Sequence, residues 1–268
     1  MKIISAGLIL SLLVLILTSC KGKFYNMPSG SMEATLPLNT KAFVTETGQF
    51  KHNNIAVYYY YGDNFSKPPS ADGQLEKQWQ MRISRLIAMS GDTLQLKDGN
   101  IFINGKEVPH APKALLLYEI RSGVGIDDFP KREEDKFQSE PAEEGVLYRI
   151  HLTSEEASNY KKRKPAIKSV QRILTDMYNP DSIYARECGL GPTNTDNIGP
   201  FYIPRPGDTV SISECNRKLY ANIPGIHPGK NVIKENLFYM ISDNWYGAED
   251  SRYIGFISES KMFGIVKE

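Results

Sequence analysis

The chain has 268 residues, of which 41% are hydrophobic and 24% charged, and its formal charge is +1 from 32 basic and 31 acidic side chains. This composition excludes a disordered chain, a coiled coil and a collagen-like fibre, and it suffices for one sizeable hydrophobic core or two small ones. Because phosphate binding relies on a basic excess on one face, the near-neutral balance gives no reason to expect a nucleic acid partner.

The N-terminus carries an uncharged apolar run of 17 positions, residues 3–19, followed by Cys20 and two lysines. As a helix this run would be about 25 Å long, slightly shorter than the roughly 30 Å of hydrocarbon in a bilayer. The string LTSC at residues 17–20 resembles a bacterial lipobox, in which the cysteine is acylated before the preceding segment is removed. We favour a lipoprotein signal over residues 1–20 rather than a retained membrane anchor. Both interpretations place the remaining chain at the outer face of the bacterial inner membrane.

The part of the chain that follows has the pattern of short antiparallel strands. Residues 55–61 are β-branched and aromatic, and a second apolar run covers residues 87–96. The pairs Asp98-Gly99 and Asn104-Gly105 predict tight hairpin turns between residues 95 and 108.

The middle of the chain differs from this β pattern. Positions 131–144 are rich in acidic and basic residues. The sequence TSEE at residues 153–156 is typical of a helix start. Pro165 interrupts the predicted helix, which resumes over residues 166–177.

Turns rich in proline and glycine return after residue 199, and two short apolar runs, residues 237–241 and 253–257, predict buried strands. The interpretation is a β domain made of residues 21–108 and 201–268. A mixed α/β insertion, residues 109–200, separates its two parts.

Four segments carry the functional signal, and they occur in a fixed order along the chain. They are residues 27–36 (MPSGSMEATL), 54–59 (NIAVYY), 84–92 (SRLIAMSGD) with 101–105 (IFING), and 242–255, which begin with SDN and end with DSRYIG. Together these boxes resemble those of bacterial type I signal peptidases. The resemblance implies a mainly antiparallel β fold and a membrane-tethered serine endopeptidase, which removes N-terminal signal peptides from exported precursors. Residues 109–200 match no box and resemble the variable insertion of that family.

The resemblance also implies a serine and lysine dyad. Ser31 matches the nucleophile, and Ser29 matches the residue whose hydroxyl helps to stabilise the oxyanion. A serine hydroxyl is a weak nucleophile, so the dyad relies on a lysine whose pKa is lowered by burial and whose neutral amine accepts the proton.

The general base is missing from the match. Ser84 stands where the family has this lysine, and Ala248 stands where the family usually has a serine that hydrogen-bonds the lysine. Alternation on a strand places Arg82 on the face of Ser84, with Arg85 and Lys77 on the opposite face. Arginine does not deprotonate in proteins and is no substitute for the base. Because both members of one partnership are lost, we interpret the change as a relaxed constraint on the dyad.

Other positions of the boxes are retained or changed singly. Asp250 and Arg252 are retained, and we expect them to form a structural ion pair. Further differences from the family pattern are Ala34 and Ser90 for proline, Ser242 for glycine and Trp245 for arginine.

The expected function is therefore a signal peptidase that recruits another base. The histidines are His52, His110, His151 and His227, of which His110 and His151 lie in the insertion and are candidates to fold over the site. The alternative is a catalytically inactive relative that binds signal peptides or a partner segment along a strand edge. A third interpretation is a structural lipoprotein that has kept only the fold.

No motif implies a metal or nucleotide cofactor. Cys188 and Cys215 would lie in an oxidising compartment if the chain is exported, so they form either one disulfide or two free buried thiols, and the sequence favours neither.

Overall fold

A computed structural model describes residues 22–27, 29–60, 80–132, 138–163, 165–174 and 194–267. In these residues the chain forms 17 strands, numbered β1 to β17 in chain order, and all the strand pairings are antiparallel. The helices are α1 (Ser154–Lys161), α2 (Arg217–Tyr220) and α3 (Ser251–Ile254), with 3-10 turns at Gly30–Met32 and Glu259–Lys261. This content confirms the predicted mainly antiparallel β fold.

The predicted lipoprotein signal or anchor, with Cys20, lies outside the described residues. Within the described part of the chain, the helices are all too short or too polar to cross a membrane.

A seven-stranded sheet contains most of the second box and the first part of the third box. In spatial order its strands are β1 (Gly22–Asn26), β2 (Lys41–Glu46), β17 (Met262–Val266), β3 (Ile55–Tyr60), β4 (Gln80–Met89), β15 (Leu237–Ile241) and β16 (Ile257–Ser258). In the register, β3 places Ala56 opposite Ser84, and β15 places Ile241 opposite Arg85. Strand β4 therefore lies between the first β segments and the last box, and its two faces carry Ser84 and Arg85 separately.

A four-stranded sheet follows β4 and contains both predicted hairpins. Its strands, in spatial order, are β12 (Ile198–Tyr202), β5 (Thr93–Lys97), β6 (Asn100–Ile103) and β7 (Lys106–Val108). Asp98, Gly99, Asn104 and Gly105 all have φ between 50° and 77°, as the two tight turns require, so the hairpin prediction is confirmed. The apolar run 87–96, in contrast, is split between β4 and β5, because Gly91 turns the chain with a φ of 98°.

A second four-stranded sheet comes from the insertion. Its strands are β11 (Ile167–Arg172), β8 (Leu116–Ser122), β10 (Gly145–Leu152) and β9 (Gln138–Ala142). Helix α1 begins as predicted, with a capping box in which Thr153 and Glu156 bond each other's backbone N–H groups. The predicted continuation of the helix over residues 166–177 is wrong where the structure describes it, because β11 pairs with β8 and buries Ile167 and Val170.

The C-terminal part closes the fold with β13 (Thr209–Ile212), which pairs with β14 (Gly229–Val232), and with β15 at the predicted position. The strand predicted over residues 253–257 is wrong for most of its length. Asp250 caps α3 there by accepting a hydrogen bond from the Arg252 backbone, and only β16 is extended. Cys215 is disulfide-bonded, whereas Cys188 and Cys20 lie outside the described residues.

Candidate active site

The predicted nucleophile lies in the 3-10 turn Gly30–Met32, which follows the edge strand β1. Ser29 caps this turn, and its hydroxyl donates to Ser31 Oγ over 3.1 Å. Ser31 Oγ in turn donates to the backbone carbonyl of Ile83 over 3.4 Å. Both bonds are long for hydroxyl donors, so the Ser31 hydroxyl lies against β4 and is only weakly held.

The last box holds this turn in place. The Asn244 backbone N–H donates to the Ser31 carbonyl over 2.9 Å, and the Asn244 side-chain amide donates to the Gly30 carbonyl over 3.0 Å. Met32 is fully buried, and the Asp243 backbone N–H lies 3.3 Å from its sulfur. Contacts between two segments that are more than 200 positions apart in the chain thus hold the backbone that carries the predicted nucleophile.

A buried ion pair between Arg85 and Asp243 stabilises the last box. Arg85 donates from Nε and Nη2 to the two carboxylate oxygens of Asp243 over 2.8 and 2.7 Å, and from Nη1 to the carbonyl of Asn53. The Thr35 hydroxyl donates to Asp243 over 2.5 Å. Because bidentate contacts between a guanidinium and a carboxylate have one preferred geometry, this pair orients the box relative to β4.

Two departures from the family pattern have a local structural reason. Ala34 has a φ of 69°, which a proline cannot adopt because its ring holds φ near −65°. The Ser90 hydroxyl donates to the carbonyl of Pro204 and accepts from the backbone N–H of Leu237, both over 2.7 Å. At both positions the chain has a conformation or a hydrogen bond that proline would not provide.

A cleft of about 610 Å³ opens beside Ser31. The described residues that line it are Asn26, Ser29, Ser31, Met81, Arg82, Ile83, Ser84, Ser242, Gly247, Ala248 and Glu249. Ser84 and Ala248, where the resemblance to the family predicts a lysine and its serine partner, therefore lie in one cleft with the predicted nucleophile.

Hydroxyl groups surround Ser84, the position at which the resemblance to the family predicts a base. Ser84 Oγ lies 2.9 Å from Ser242 Oγ and 3.2 Å from the phenol oxygen of Tyr58, and all three side chains are buried. Burial raises the pKa of Tyr58, so its phenol remains neutral. In the sequence, Ser242 is only one separate difference from the family pattern, and Tyr58 is not singled out as a site residue. The one available signal was that Ser242 replaces a glycine of the family pattern.

The charged groups of the cleft are already engaged with each other. Arg82 donates to the Glu249 carbonyl over 2.6 Å and to the Glu249 carboxylate over 2.8 Å, and its guanidinium stacks on the Tyr60 ring at 4.3 Å. Within the described part of the chain, neither a lysine nor a histidine lines the cleft. Lys77 lies outside the described residues.

The four histidines lie elsewhere. His110 packs edge-on against Trp245 with ring centroids 4.9 Å apart, and burial lowers its pKa to about 4. His151 stacks on Tyr246 at 5.8 Å. His110 and His151 therefore pack against Trp245 and Tyr246 of the last box. Neither lines the cleft, so the expectation that one of them folds over the site is not met.

Asp250 and Arg252 form a fully buried bidentate pair with both distances at 2.8 Å. Asp250 also accepts from the backbone N–H of Ser242 over 2.9 Å, and Arg252 stacks on Trp245 at 4.4 Å and donates to its carbonyl. The pair thus stabilises the backbone at Ser242, which lines the cleft. Neither Asp250 nor Arg252 lines the cleft itself.

This arrangement of a serine turn, a central strand and a clamping box agrees with the comparison with known families. A model of the family described as signal peptidase, peptidase S26, matches residues 1–178. Because this match covers more than half of the chain, the protein belongs to the S26 signal peptidase family. No curated protein matches the chain. The matched range contains Ser29, Ser31 and Ser84, whereas Ala248 lies beyond it.

Proposed function

We propose that this protein binds the end of a signal peptide in the cleft beside Ser31 and hydrolyses it far more slowly than a peptidase with a complete dyad does. The observation that carries the proposal is the neutral hydroxyl cluster of Tyr58, Ser84 and Ser242 at the position of the base. None of these groups is a base at neutral pH.

The retained nucleophile explains why slow hydrolysis is part of the proposal. Ser31 and its neighbour Ser29 remain hydrogen-bonded, so groups that can stabilise an oxyanion are still beside the nucleophile. Loss of a general base typically lowers the rate by roughly 10²- to 10⁴-fold. A serine with an oxyanion site and no base retains residual activity.

The walls of the cleft favour an extended ligand with small side chains. One wall is the β4 segment from Met81 to Ser84, and an extended peptide can bind along a strand through its main chain. Gly247 and Ala248 also line the cleft, and both residues occupy little volume. These features fit the small residues of an Ala-x-Ala cleavage site.

The location of the cleft fits a membrane-tethered protein. Nine positions separate Cys20 from Ser29, which corresponds to at most roughly 30 Å of extended chain. Lipid on Cys20, or an anchor formed by residues 3–19, would therefore hold the cleft near the outer surface of the inner membrane. Signal peptides of exported precursors are present at that surface, which is the basis for proposing them as partners.

A second candidate is an efficient serine endopeptidase whose base comes from another segment or another chain. The intact contact between Ser29 and Ser31 favours it, because a site used only for binding does not need a hydroxyl beside the nucleophile. The two candidates differ in the rate of hydrolysis that depends on Ser31.

The test compares the full-length, detergent-solubilised wild type with Ser31→Ala, using a radiolabelled exported precursor. We expect the two proteins to bind the precursor with similar affinity, and cleavage that depends on Ser31 to appear only in long time courses. Ser213→Ala changes an exposed serine outside the cleft and serves as the matched control. Ala248→Phe narrows the cleft and should abolish binding.

Three results would contradict the proposal. Rapid cleavage that disappears in Ser31→Ala favours the second candidate. No precursor binding by a folded wild type, or binding that Ala248→Phe leaves unchanged, excludes a peptide in this cleft and favours a structural lipoprotein.

A further inference from the structure

A second cavity lies next to the cleft beside Ser31. Its volume is about 250 Å³, and Ser242 lines both spaces. The cavity lies between the hairpin of β6 and β7 and the face of β4 that carries Arg85 and Ile87. None of the contacts described for Ser31 uses this space.

The walls of this cavity are mostly apolar. They include Ile87, Ile101, Ile103, Val108, Ile241 and Trp245. An apolar cavity of about 150 Å³ is known to hold benzene in another protein, so 250 Å³ is enough for an aromatic ring with a short chain. The space therefore fits an apolar body of about ten non-hydrogen atoms.

Most of the basic side chains that line the cavity are either neutral or paired with a carboxylate. Arg85 is neutralised by Asp243, and the low pKa of His110 keeps its ring neutral. His52 is bonded to the Asp92 carboxylate over 2.7 Å. Lys106 is exposed, lines the cavity, and forms no ion pair within the described part of the chain.

We infer that this cavity is a binding site for a small apolar carboxylate, whose ring or short chain fills the apolar space while its carboxylate pairs with Lys106. An apolar pocket with a few polar groups at its edge is the usual form of a small-molecule site. The site is separate from the cleft and does not depend on the function proposed above.

The test uses 3-phenylpropionate as the probe and its uncharged amide as the matched ligand. The full-length protein is titrated in detergent, and binding is followed by NMR at the indole N–H of Trp245. This indole lines the cavity and donates to Asp196, so its signal reports on this site and not on the micelle. The chain has two tryptophans, and a Trp79→Phe background assigns the signal.

Two variants separate the apolar and the charged contributions. Ala111→Phe fills the cavity from its edge, so binding of both the acid and the amide should be lost. Lys106→Gln should weaken the acid by about three- to five-fold, as expected for one exposed ion pair, and leave the amide unchanged. Lys230→Gln, on the exposed strand β14, is the control and should have no effect.

Several outcomes would overturn the inference. They are equal affinity for the acid and the amide, unchanged binding of the acid in Ala111→Phe, and no shift of the Trp245 signal at millimolar probe. Because Lys106→Gln alters an exposed side chain, its result does not depend on whether Ala111→Phe folds.

Discussion

The two sides of the cleft differ in how much of the family pattern they keep. On the nucleophile side, Ser29 and Ser31 lie in a turn that Asn244 clamps at two carbonyls. On the base side, which contains Ser84 and Ala248, the resemblance to the family predicts a lysine and a serine partner, and Ser84 is instead hydrogen-bonded to Ser242. The nucleophile side therefore matches the predicted dyad, and the base side does not.

The hydroxyl groups on the base side form one connected, buried cluster. A buried hydroxyl without a partner costs about 1–3 kcal/mol. Ser242 and Tyr58 provide such partners at 2.9 and 3.2 Å. Ser84 is therefore satisfied within this cluster, and no lysine lines the cleft among the described residues.

The largest effect is expected when the base side is returned to the family pattern. The triple variant Ser84→Lys, Ser242→Gly, Ala248→Ser supplies the amine, removes the hydroxyl that lies nearest to position 84 and restores the serine partner. We expect the rate of precursor cleavage to rise by roughly 10²- to 10⁴-fold, which is the usual contribution of a general base. The measurement is the initial rate of release of the mature protein.

The control for this prediction is the same triple variant with Ser31→Ala, which should be inactive. A triple variant that unfolds at the wild-type temperature and still shows no cleavage that depends on Ser31 would contradict the idea that only the base side limits activity.

The next largest effect concerns the ion pair that supports both sides. Asp250→Ala leaves the fully buried Arg252 without its carboxylate and removes the acceptor of the Ser242 backbone N–H. We expect the free energy of unfolding to fall by about 3–5 kcal/mol, measured by urea denaturation.

Glu214→Ala breaks an exposed pair with Arg217 and should change the free energy of unfolding by less than about 0.5 kcal/mol. If Asp250→Ala lowers the free energy of unfolding by less than about 1 kcal/mol, the buried pair does not stabilise the segment around Ser242.

A smaller effect is expected inside the hydroxyl cluster. Tyr58→Phe removes one of the two hydroxyl partners of Ser84 and keeps the ring that packs in the core. We expect a loss of about 1 kcal/mol in the free energy of unfolding, the typical net value of one buried hydrogen bond. Tyr202→Phe, which removes a hydroxyl from an exposed tyrosine, is the control. An unchanged stability of Tyr58→Phe would mean that the cluster contributes nothing to the fold.

The smallest effect concerns the turn after β4. Burial raises the pKa of Asp92, but hydrogen bonds from the Met89 backbone, His52 and Asn104 outweigh it and hold the pKa below its ordinary value. A carboxyl group with a lowered folded-state pKa stabilises the protein above its ordinary pKa, near 4, and loses this contribution as the pH falls through the folded-state value. The free energies of unfolding of wild type and Asp92→Asn should therefore converge in acid. A constant difference between the two proteins from neutral pH down to about pH 3 would contradict this assignment.

Local sequence signals predicted those elements whose conformation is decided within a few residues. The hairpin turns at Asp98-Gly99 and Asn104-Gly105 need positive φ, and these residue pairs adopt it readily. The start of α1 follows from the capping box of Thr153 and Glu156. In both cases the interacting groups are near neighbours in the chain.

The two wrong elements have the opposite origin. Residues 167–172 form a strand because β8 provides a partner for their backbone, and that pairing joins segments about fifty positions apart. Residues 251–254 form a helical turn because the Asp250 side chain caps it in a buried position. Neither the pairing nor the burial is visible in the periodicity of the segment itself.

By itself, the sequence determined the family boxes, the predicted nucleophile, its neighbour and the absence of a lysine at position 84, because each of these is a matter of residue type and order. Only the tertiary structure decided that Ser84, Ser242 and Ala248 share one cleft with Ser31. It also decided that Tyr58 completes the hydroxyl cluster. The structure further showed that His110 and His151 pack against the last box and do not line the cleft. These residues are brought together by strand register and by buried pairs such as Arg85 with Asp243, which act between segments far apart in the chain. The distance between two side chains across a sheet depends on pairings that no local pattern encodes.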